Sequence, residues 1–263
     1  MASTNNYSLG RGEIYFAKFK PGTQTPMGER YLGNTPALNL TIESERLDHF
    51  NSDRGVREKD DSVLLQSNRT GTLETDNVNP ENLALFFLGS SMLSTVVAAV
   101  GLTSSFDDSV QGESYQLGTT DSTPSGARQV ANIVVKNDAT PTPVAFALGT
   151  DYVEDLVLGR ITVLEGGAIA DGTNLRVTFD TTNSERARII SAADTIEGAL
   201  RYVAKNPKGT QYDYFMPWVQ FSPNGDFAIK AEEWQKLPFN LEFLKKGALE
   251  AIYVDGRPYT PTP

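Results

Sequence analysis

The residues best suited to chemistry lie in one polar stretch, ERLDHFNSDRGVREKDD, which runs from Glu45 to Asp61. It contains His49, the only histidine of the chain. A catalytic or metal site here would combine His49 with nearby carboxylates, which are Asp48, Asp53, Asp60 and Asp61. Basic residues alternate with these carboxylates, namely Arg46, Arg54, Arg57 and Lys59. Charges of both signs satisfy one another and solvent and do not select a divalent cation, so the pattern favours a long charged loop.

Other motifs for catalysis or ligand binding are incomplete in the sequence. The stretch NPKGTQ has the Lys and Thr of a phosphate loop, but it lies in a predicted hairpin turn and not before a helix. Asp151, Glu154 and Asp155 have the wrong spacing for a calcium loop. A glycosidase needs only two carboxylates, and among 33 acidic residues nothing selects a pair. The sequence therefore favours a protein that is not an enzyme, with an acidic hydrolase as the open alternative.

One aromatic-rich segment offers a further alternative. Its side chains could form a platform that stacks on sugars or bases. Such a strand more often contributes to a core or to a subunit interface, and we favour that interpretation. The residues are Tyr212, Tyr214, Trp218 and Phe221.

Composition narrows the function classes further. The chain has 263 residues and a net charge of −10, whereas proteins that grip nucleic acid by its phosphates need a basic surface. It has no cysteine, which excludes disulfides, thiolate metal sites and cysteine nucleophiles. A single histidine cannot supply a polyhistidine zinc site. We expect no cofactor and no metal.

Two segments bear on targeting. The first sixteen residues lack the basic start and apolar run of a secretory signal, so none is expected. Residues 83–102 are uncharged and long enough to span a bilayer, but Gly89-Ser90-Ser91 interrupts them. A short buried helix followed by an apolar connector is the favoured interpretation, and no membrane association is expected.

Hydrophobic alternation predicts a mainly β fold. Residues 37–46 and 62–75 alternate between apolar and polar side chains, as strands with one buried face do. The apolar face of these strands, with Leu38, Leu40, Ile42 and Leu65, should pack against a C-terminal sheet and a helix near residues 85–88. That helix is predicted from the stretch NVNPENLALFFLG, with Asn79 as its cap, Pro80 at its first position and Gly89 at its end.

Turn residues indicate an insertion. Residues 104–184 are rich in Ser, Thr, Gly and Asp between short apolar runs, which is typical of a small β-sandwich. The predicted organisation is a core formed by residues 1–103 and 185–263, with an inserted module at 104–184.

The runs LGRGEIYFAKFKPGTQTPMGERYLGNTPALNLTIESERLDHFNSDRGVREKDDSVLLQSNRTGTLETDNVNPENLALFFLG and IEGALRYVAKNPKGTQYDYFMPWVQFSPNGDFAIKAEEWQKLPFNLEFLKK resemble the major tail tube proteins of long-tailed, non-contractile bacteriophages. The run GTDYVEDLVLGRITVLEGGAIADGTNLRVTF is similar to a β module found in several phage tail proteins. The resemblance implies a β-sandwich subunit with a flanking helix. It also implies hexameric rings that stack into a tube, inside which strands from all subunits close into a barrel.

Two sets of residues acquire roles from this resemblance. The charged stretch is expected to be a ring-stacking loop, disordered in the free subunit, with these residues: Asp48, His49, Asp53, Arg54, Arg57, Glu58, Lys59, Asp60 and Asp61. The polar sides of the alternating strands are expected to face the lumen, where an acidic lining repels DNA phosphates. These residues are Asn39, Thr41, Glu43, Glu45, Gln66, Asn68, Thr70, Thr72, Glu74, Asn240 and Glu242.

The resemblance also implies partners and a location. The partners are further copies of the chain, a tape measure protein in the lumen, a tail terminator and distal tail or baseplate proteins at the tube ends, and double-stranded DNA in transit. The protein is expected in the virion tail after assembly in the host cytoplasm, with the inserted module on the outside. Two alternatives remain: another virion structural component, such as a tail terminator or fibre-associated protein, and an acidic carbohydrate-binding module or hydrolase.

Overall fold

The computed structural model describes residues 7–53 and 55–257. It is mainly β with antiparallel sheets, which confirms the predicted fold class. The elements in chain order are β1 (Gly12–Lys18), β2 (Arg30–Tyr31), β3 (Ala37–Asn51), β4 (Glu58–Thr75), α1 (Pro80–Phe86), β5 (Ser90–Val96), β6 (Ala99–Ser109), β7 (Ser114–Gln116), β8 (Val130–Asn137), β9 (Tyr152–Asp155), β10 (Arg160–Val163), β11 (Thr173–Thr181), β12 (Ser184–Ile190), β13 (Ile196–Ala204), β14 (Gln211–Pro223), β15 (Leu237–Phe243) and β16 (Tyr253–Arg257).

The chain divides into two compact units. The first combines the residues up to Met92 with those from Arg188 onward, and the second is Leu93–Ala187. The predicted insert was 104–184, and the second unit is larger at both ends. The extension follows from strand pairing, because β6 already pairs with β11 at Ala99, opposite Thr181.

The main sheet of the first unit has the strand order β2–β1–β13–β14–β15–β4–β3, and β16 pairs with β14. All of these pairs are antiparallel. β3 ends the order and pairs only with β4 among the described strands. One edge of this sheet therefore presents backbone groups that have no neighbouring strand.

Alternation along these strands builds the core of the first unit. Side chains at every second position are buried, and the two faces of each strand differ accordingly. The buried cluster includes Ile14, Phe16, Leu73, Leu200, Met216, Phe221, Phe239 and Leu241.

The helix α1 closes this core. Asn79 caps it as predicted, because its side chain accepts a hydrogen bond from the backbone N–H of Asn82 at 2.7 Å. The buried amide of Asn82 donates to the carbonyl oxygens of Leu32 and Asn77, both at 2.8 Å, which ties the helix to the segment after β2. The predicted end at Gly89 was wrong: the helix ends at Phe86, and the residue with a left-handed backbone is Leu88.

The second unit contains two three-stranded sheets, β6–β11–β8 and β7–β10–β9. Residues from both sheets meet in one apolar cluster, so the unit is a small sandwich. Its buried side chains include Val135, Ile161, Val163, Leu175, Val177 and Phe179.

Residues 83–102 do not form one helix. They contain the end of α1, the strand β5 and the start of β6. Across the described ranges, no helix is both long and apolar enough to cross a membrane.

Candidate functional site

The charged stretch forms the end of a long β-hairpin, which we call the hairpin arm and define as residues 42–69. The prediction of a long loop was wrong, because most of the stretch lies in two paired strands. β3 and β4 stay paired as far as Asn51 and Glu58, so the turn is short. Asp48 and His49 belong to β3, whereas Glu58, Lys59, Asp60 and Asp61 belong to β4. Asp53 and Arg57 lie in the turn, and Arg54 lies outside the described residues.

An ion pair joins the two strands on one side of the arm near its tip. The ammonium group of Lys59 lies 2.6 Å from a carboxylate oxygen of Asp48, which also accepts a hydrogen bond from the hydroxyl of Ser62 at 2.8 Å. The bond from Lys59, followed by that from Ser62, lowers the pKa of Asp48. Both members of the ion pair are exposed, so the pair contributes little to the free energy of folding. Its main effect is to keep the two strands in register.

His49 makes the second cross-strand contact of the tip. Its Nδ1 lies 2.5 Å from a carboxylate oxygen of Asp60, and Asp61 is directly opposite His49 in the strand register. The hydrogen bond to Asp60 raises the pKa of His49, and the charge of Asp61 adds to this effect. On the other side of the arm, the Arg57 guanidinium lies 5.3 Å from the centre of the Phe50 ring.

The hairpin arm exposes apolar side chains that nothing in the described structure covers. The expected packing of Leu40, Ile42 and Leu65 against the core was wrong, and only Leu38 contacts the core cluster. The side chain of Ile42 is 64% exposed. The reason is geometric: β15 pairs with β4 only from Thr75 to Thr70, so the strands continue beyond the sheet that would cover them.

The residues predicted to face a lumen share one exposed face of the main sheet, which we call the polar face. Thr41 lies opposite Thr70, and Thr70 lies opposite Glu242 on its other side. Asn39, Thr72 and Asn240 form the neighbouring row, and the side-chain amide of Asn39 donates to the hydroxyl of Thr72 at 3.1 Å. The remaining members follow the same register: Glu43 opposite Asn68, Glu45 opposite Gln66, and Glu74 opposite Ala37.

The polar face extends further than the sequence indicated. Gln220 of β14 lies opposite Glu242, and Glu197 of β13 lies opposite Gln220, so one row crosses five strands. Ser222 continues the second row beside Asn240. Alternation alone did not reveal these residues, because it does not show that β14 and β13 lie next to β15 in the sheet.

The charge of this face is acidic. The eleven predicted residues include four glutamates and no basic residue. Lys236, just before β15, reaches the carboxylate of Glu74 at 2.8 Å, and this hydrogen bond raises the pKa of the lysine. Glu43, Glu45 and Glu242 make no such ion pair with any described residue.

A groove of about 810 Å³ lies in the first unit between the start of β1 and the start of β3. Ile14 and Met216 are buried in its floor, and the rings of Tyr202 and Tyr214 meet there with centroids 5.8 Å apart. Arg11 also lines the groove, and its guanidinium makes no salt bridge with a described residue. The groove therefore has a floor of apolar side chains that are already buried, and a mixed lining that includes Asn34 and Thr35.

The aromatic segment does not form a stacking platform. Tyr214 and Phe221 pack in or against the main core, whereas Trp218 packs with Phe19 in a separate cluster. Tyr212 is exposed on β14. As for metal ligands, the described part of the chain brings no three carboxylate or imidazole side chains together as a metal site would require.

Comparison with known proteins gives a family but no activity. A family model described as protein of unknown function UCP028589 matches residues 7–249. No curated protein matches the chain.

Proposed function

We propose that this chain, which belongs to the UCP028589 family, is a structural subunit that assembles into the tail tube of a long-tailed, non-contractile bacteriophage. In this role, rings of subunits stack into a tube that conducts DNA during ejection. The sequence resemblance to major tail tube proteins motivates the proposal, and two surfaces of the first unit support it.

The observation that carries the proposal is the hairpin arm. From Ile42 onward its two strands pair only with each other in the described structure, and a two-stranded hairpin in water is marginally stable on its own. The arm nevertheless exposes Ile42, Leu47 and Leu64. Such a segment is expected to be stabilised by a partner, and stacked copies of the same chain would supply one at every level of a tube.

The open edge of β3 supports lateral assembly. A long strand with unpaired backbone groups promotes aggregation unless another strand covers it. In a ring of subunits, an edge of the neighbouring sheet can take this position, and closure of the ring then leaves no edge free.

The polar face suits the lining of a DNA conduit. DNA binds proteins mainly by contacts between phosphates and basic side chains, and these strongly depend on salt. A lining of Thr, Asn, Gln and Glu side chains offers few such contacts and repels the phosphates. DNA and the tape measure protein would therefore pass along this face without being retained.

The proposed tube also gives the second unit a position and the chain its partners and location. The second unit would lie outside the lumen, because an insert there would block passage. Tail terminator and distal tail proteins would bind the ends of the tube, and the assembled protein would be found in the virion after assembly in the host cytoplasm.

Electron microscopy of the purified, concentrated protein tests the proposal. Negative staining should reveal rings or tubes of uniform width. Monodisperse monomers at every concentration, together with binding to a glycan, would instead favour the alternative of a carbohydrate-binding module. Assembly into end caps without tubes would favour a different tail component.

Deletion of the second unit tests its proposed position. Replacing Leu93–Ala187 by an Asn-Gly turn would join the remaining residues of β5, Ser90–Met92, to those of β12, Arg188–Ile190; the two strands pair with each other in the intact chain. Tubes should still form. If the deleted protein folds but no longer assembles, the second unit contributes subunit contacts and is not mere decoration.

A further inference from the structure

We propose that Asn224 is a site of spontaneous modification, at which the side-chain amide is lost and aspartate or isoaspartate forms. Asn224 and Gly225 are the only Asn-Gly pair of the chain. They lie just after the end of β14, in the connection between β14 and β15. The inference concerns the chemistry of a single subunit, so it does not depend on the proposed tube.

The reaction is an attack of the main chain on its own side chain. The backbone nitrogen of Gly225 adds to Cγ of Asn224, the bond between Cγ and Nδ2 breaks, and Nδ2 leaves as ammonia with the amide proton of Gly225. Water then opens the resulting five-membered imide at either of its two carbonyl carbons. Opening at Cγ gives aspartate, whereas opening at the backbone carbonyl gives isoaspartate. Water is consumed and ammonia is released, and no oxidant or reductant takes part.

The attacking nitrogen is neither hydrogen-bonded nor covered in the described structure. The backbone N–H of Gly225 donates to no acceptor among the described residues. Gly225 is exposed, and a Cβ built on it would meet no heavy atom beyond its chain neighbours within 4 Å. Because glycine has no Cβ of its own, no side chain hinders the approach of its nitrogen to the side chain before it.

The side chain under attack is also unrestrained. The amide of Asn224 makes no hydrogen bond with a described residue. Its backbone N–H, in contrast, donates to the carbonyl oxygen of Pro238 at 3.0 Å. The sheet therefore fixes the chain only up to Asn224, and the side chain and the exposed residue after it can turn until the two reacting atoms meet.

Hydrogen bonds hold the asparagines that would compete with this site. Three other asparagines precede a serine or an aspartate, which hinder the attack less than larger residues do: Asn51, Asn137 and Asn183. The side-chain oxygen of each accepts a hydrogen bond from a backbone N–H group, which restricts its rotation. In the same order, the donors are Asp53 at 2.9 Å, Val144 at 2.7 Å and Ala98 at 2.8 Å.

The modification adds a carboxylate beside the polar face. Asn224 continues the strand register of β14 and β15, because it bonds to Pro238, and Pro238 lies opposite Glu74 of the polar face. The new charge therefore belongs to the row of Glu74, whose carboxylate pairs with Lys236 at 2.8 Å. Each converted subunit becomes more negative than the natural chain, and isoaspartate also lengthens the backbone between β14 and β15 by one carbon.

Mass spectrometry of the natural protein tests the proposal. The folded chain would be kept at mildly alkaline pH, sampled over time, digested and mapped. The peptide with Asn224 should show the mass change that accompanies replacement of an amide by a carboxyl group, in two products that separate by chromatography. Conversion should become faster as the pH rises, because the attack requires a deprotonated backbone nitrogen.

The chain offers matched controls. Asn39 and Asn240 are exposed on the polar face, but they lie in paired strands and precede leucine, so their peptides should stay unchanged in the same digests. The variant Asn224→Gln keeps the amide but would have to close a six-membered ring, and it should lose the modification at this position.

The same incubation in guanidinium chloride shows how the unfolded chain reacts. We expect Asn224 to be converted in both the folded and the unfolded chain, and Asn51, Asn137 and Asn183 to react more slowly in the folded chain than in the unfolded one. Conversion of Asn224 in the unfolded chain alone would mean that the fold protects this bond, and it would overturn the proposal. Conversion of Asn240 as fast as that of Asn224 in the folded chain would overturn it as well.

Discussion

Glu242 lies directly opposite Thr70, and this is the last residue pair that joins β4 to the main sheet. From Thr70 to Thr75, β4 pairs with β15 on one side and with β3 on the other. From Arg69 toward the tip, β3 and β4 pair only with each other among the described strands. The pair therefore marks the base of the hairpin arm. It also belongs to the polar face, so the hairpin arm and the polar face meet at this position of the sheet.

Charge reversal at the tip should prevent assembly. Changing Arg54, Arg57 and Lys59 to Glu would remove the ion pair with Asp48 and the stacking of Arg57 on Phe50. The tip would lose these two contacts and gain repulsion, while the core of the first unit would stay intact. Electron microscopy should show no tubes, and circular dichroism should show an unchanged fold. Normal tubes from this variant would mean that the tip charges only keep the arm solvated.

The His49–Asp60 contact should be visible as a shifted titration. Because His49 is the only histidine, its ring protons give one NMR signal set that can be followed with pH. We expect its pKa to lie above the usual value of about 6.5, and Asp60→Asn should lower it. Asp53→Asn serves as the control and should leave the titration nearly unchanged.

The sign of the linked stability follows from this shift. A raised pKa in the folded state means that the contact stabilises the tip when His49 is protonated, below its unfolded pKa. The contribution is lost as the pH rises through the raised, folded-state pKa. Tip opening measured by hydrogen exchange should therefore increase across that range, and an increase toward acid pH instead would contradict the assignment.

The base of the arm requires a glycine at position 71. A Cβ on Gly71 would lie 2.9 Å from the ring of Phe243, which is buried in the core. Gly71→Val should destabilise the first unit by about 1–3 kcal/mol, as overpacking does. Thr70→Val, on the exposed face of the same strand, should change the stability by less than about 0.5 kcal/mol. Equal midpoints in urea for the two variants would show that β4 and Phe243 are not packed as described.

Basic residues introduced on the polar face should make this surface bind DNA. Tubes with Glu43, Glu45 and Glu242 changed to Lys should bind double-stranded DNA, and binding should weaken steeply as salt increases. Three matched changes in the second unit, Asp107, Glu113 and Glu165 to Lys, provide the control. Equal DNA binding by both variants would mean that the polar face does not line the path of DNA.

The sequence was most informative where one side of a strand is buried. Leu38 and Leu73 alternate with polar neighbours, and the face assignment of the predicted polar residues depends only on that period. It was least informative in the arm, where both sides of each strand meet solvent. Charged residues such as Asp48 and Lys59 have low strand propensity, and their pairing depends on the partner strand, which local sequence does not show.

Two further features could not be read from the sequence for a different reason. Glu197 and Gln220 join the polar face because β14 lies beside β15 and β13 lies beside β14, and local sequence does not record which strands are neighbours in the sheet. The groove beside Arg11 brings together residues from the starts of β1 and β3 and from β13 and β14. Its existence depends on how the sheet curves, and no local pattern records that curvature.

The most direct test of the proposed tube is a cryo-EM reconstruction of the assembled protein at side-chain resolution. We expect a tube whose lumen is lined by the row of Thr41, Thr70 and Glu242, with each hairpin arm in contact with a subunit of the adjacent ring. A reconstruction in which this row is buried between subunits or faces the outside of the tube would contradict it.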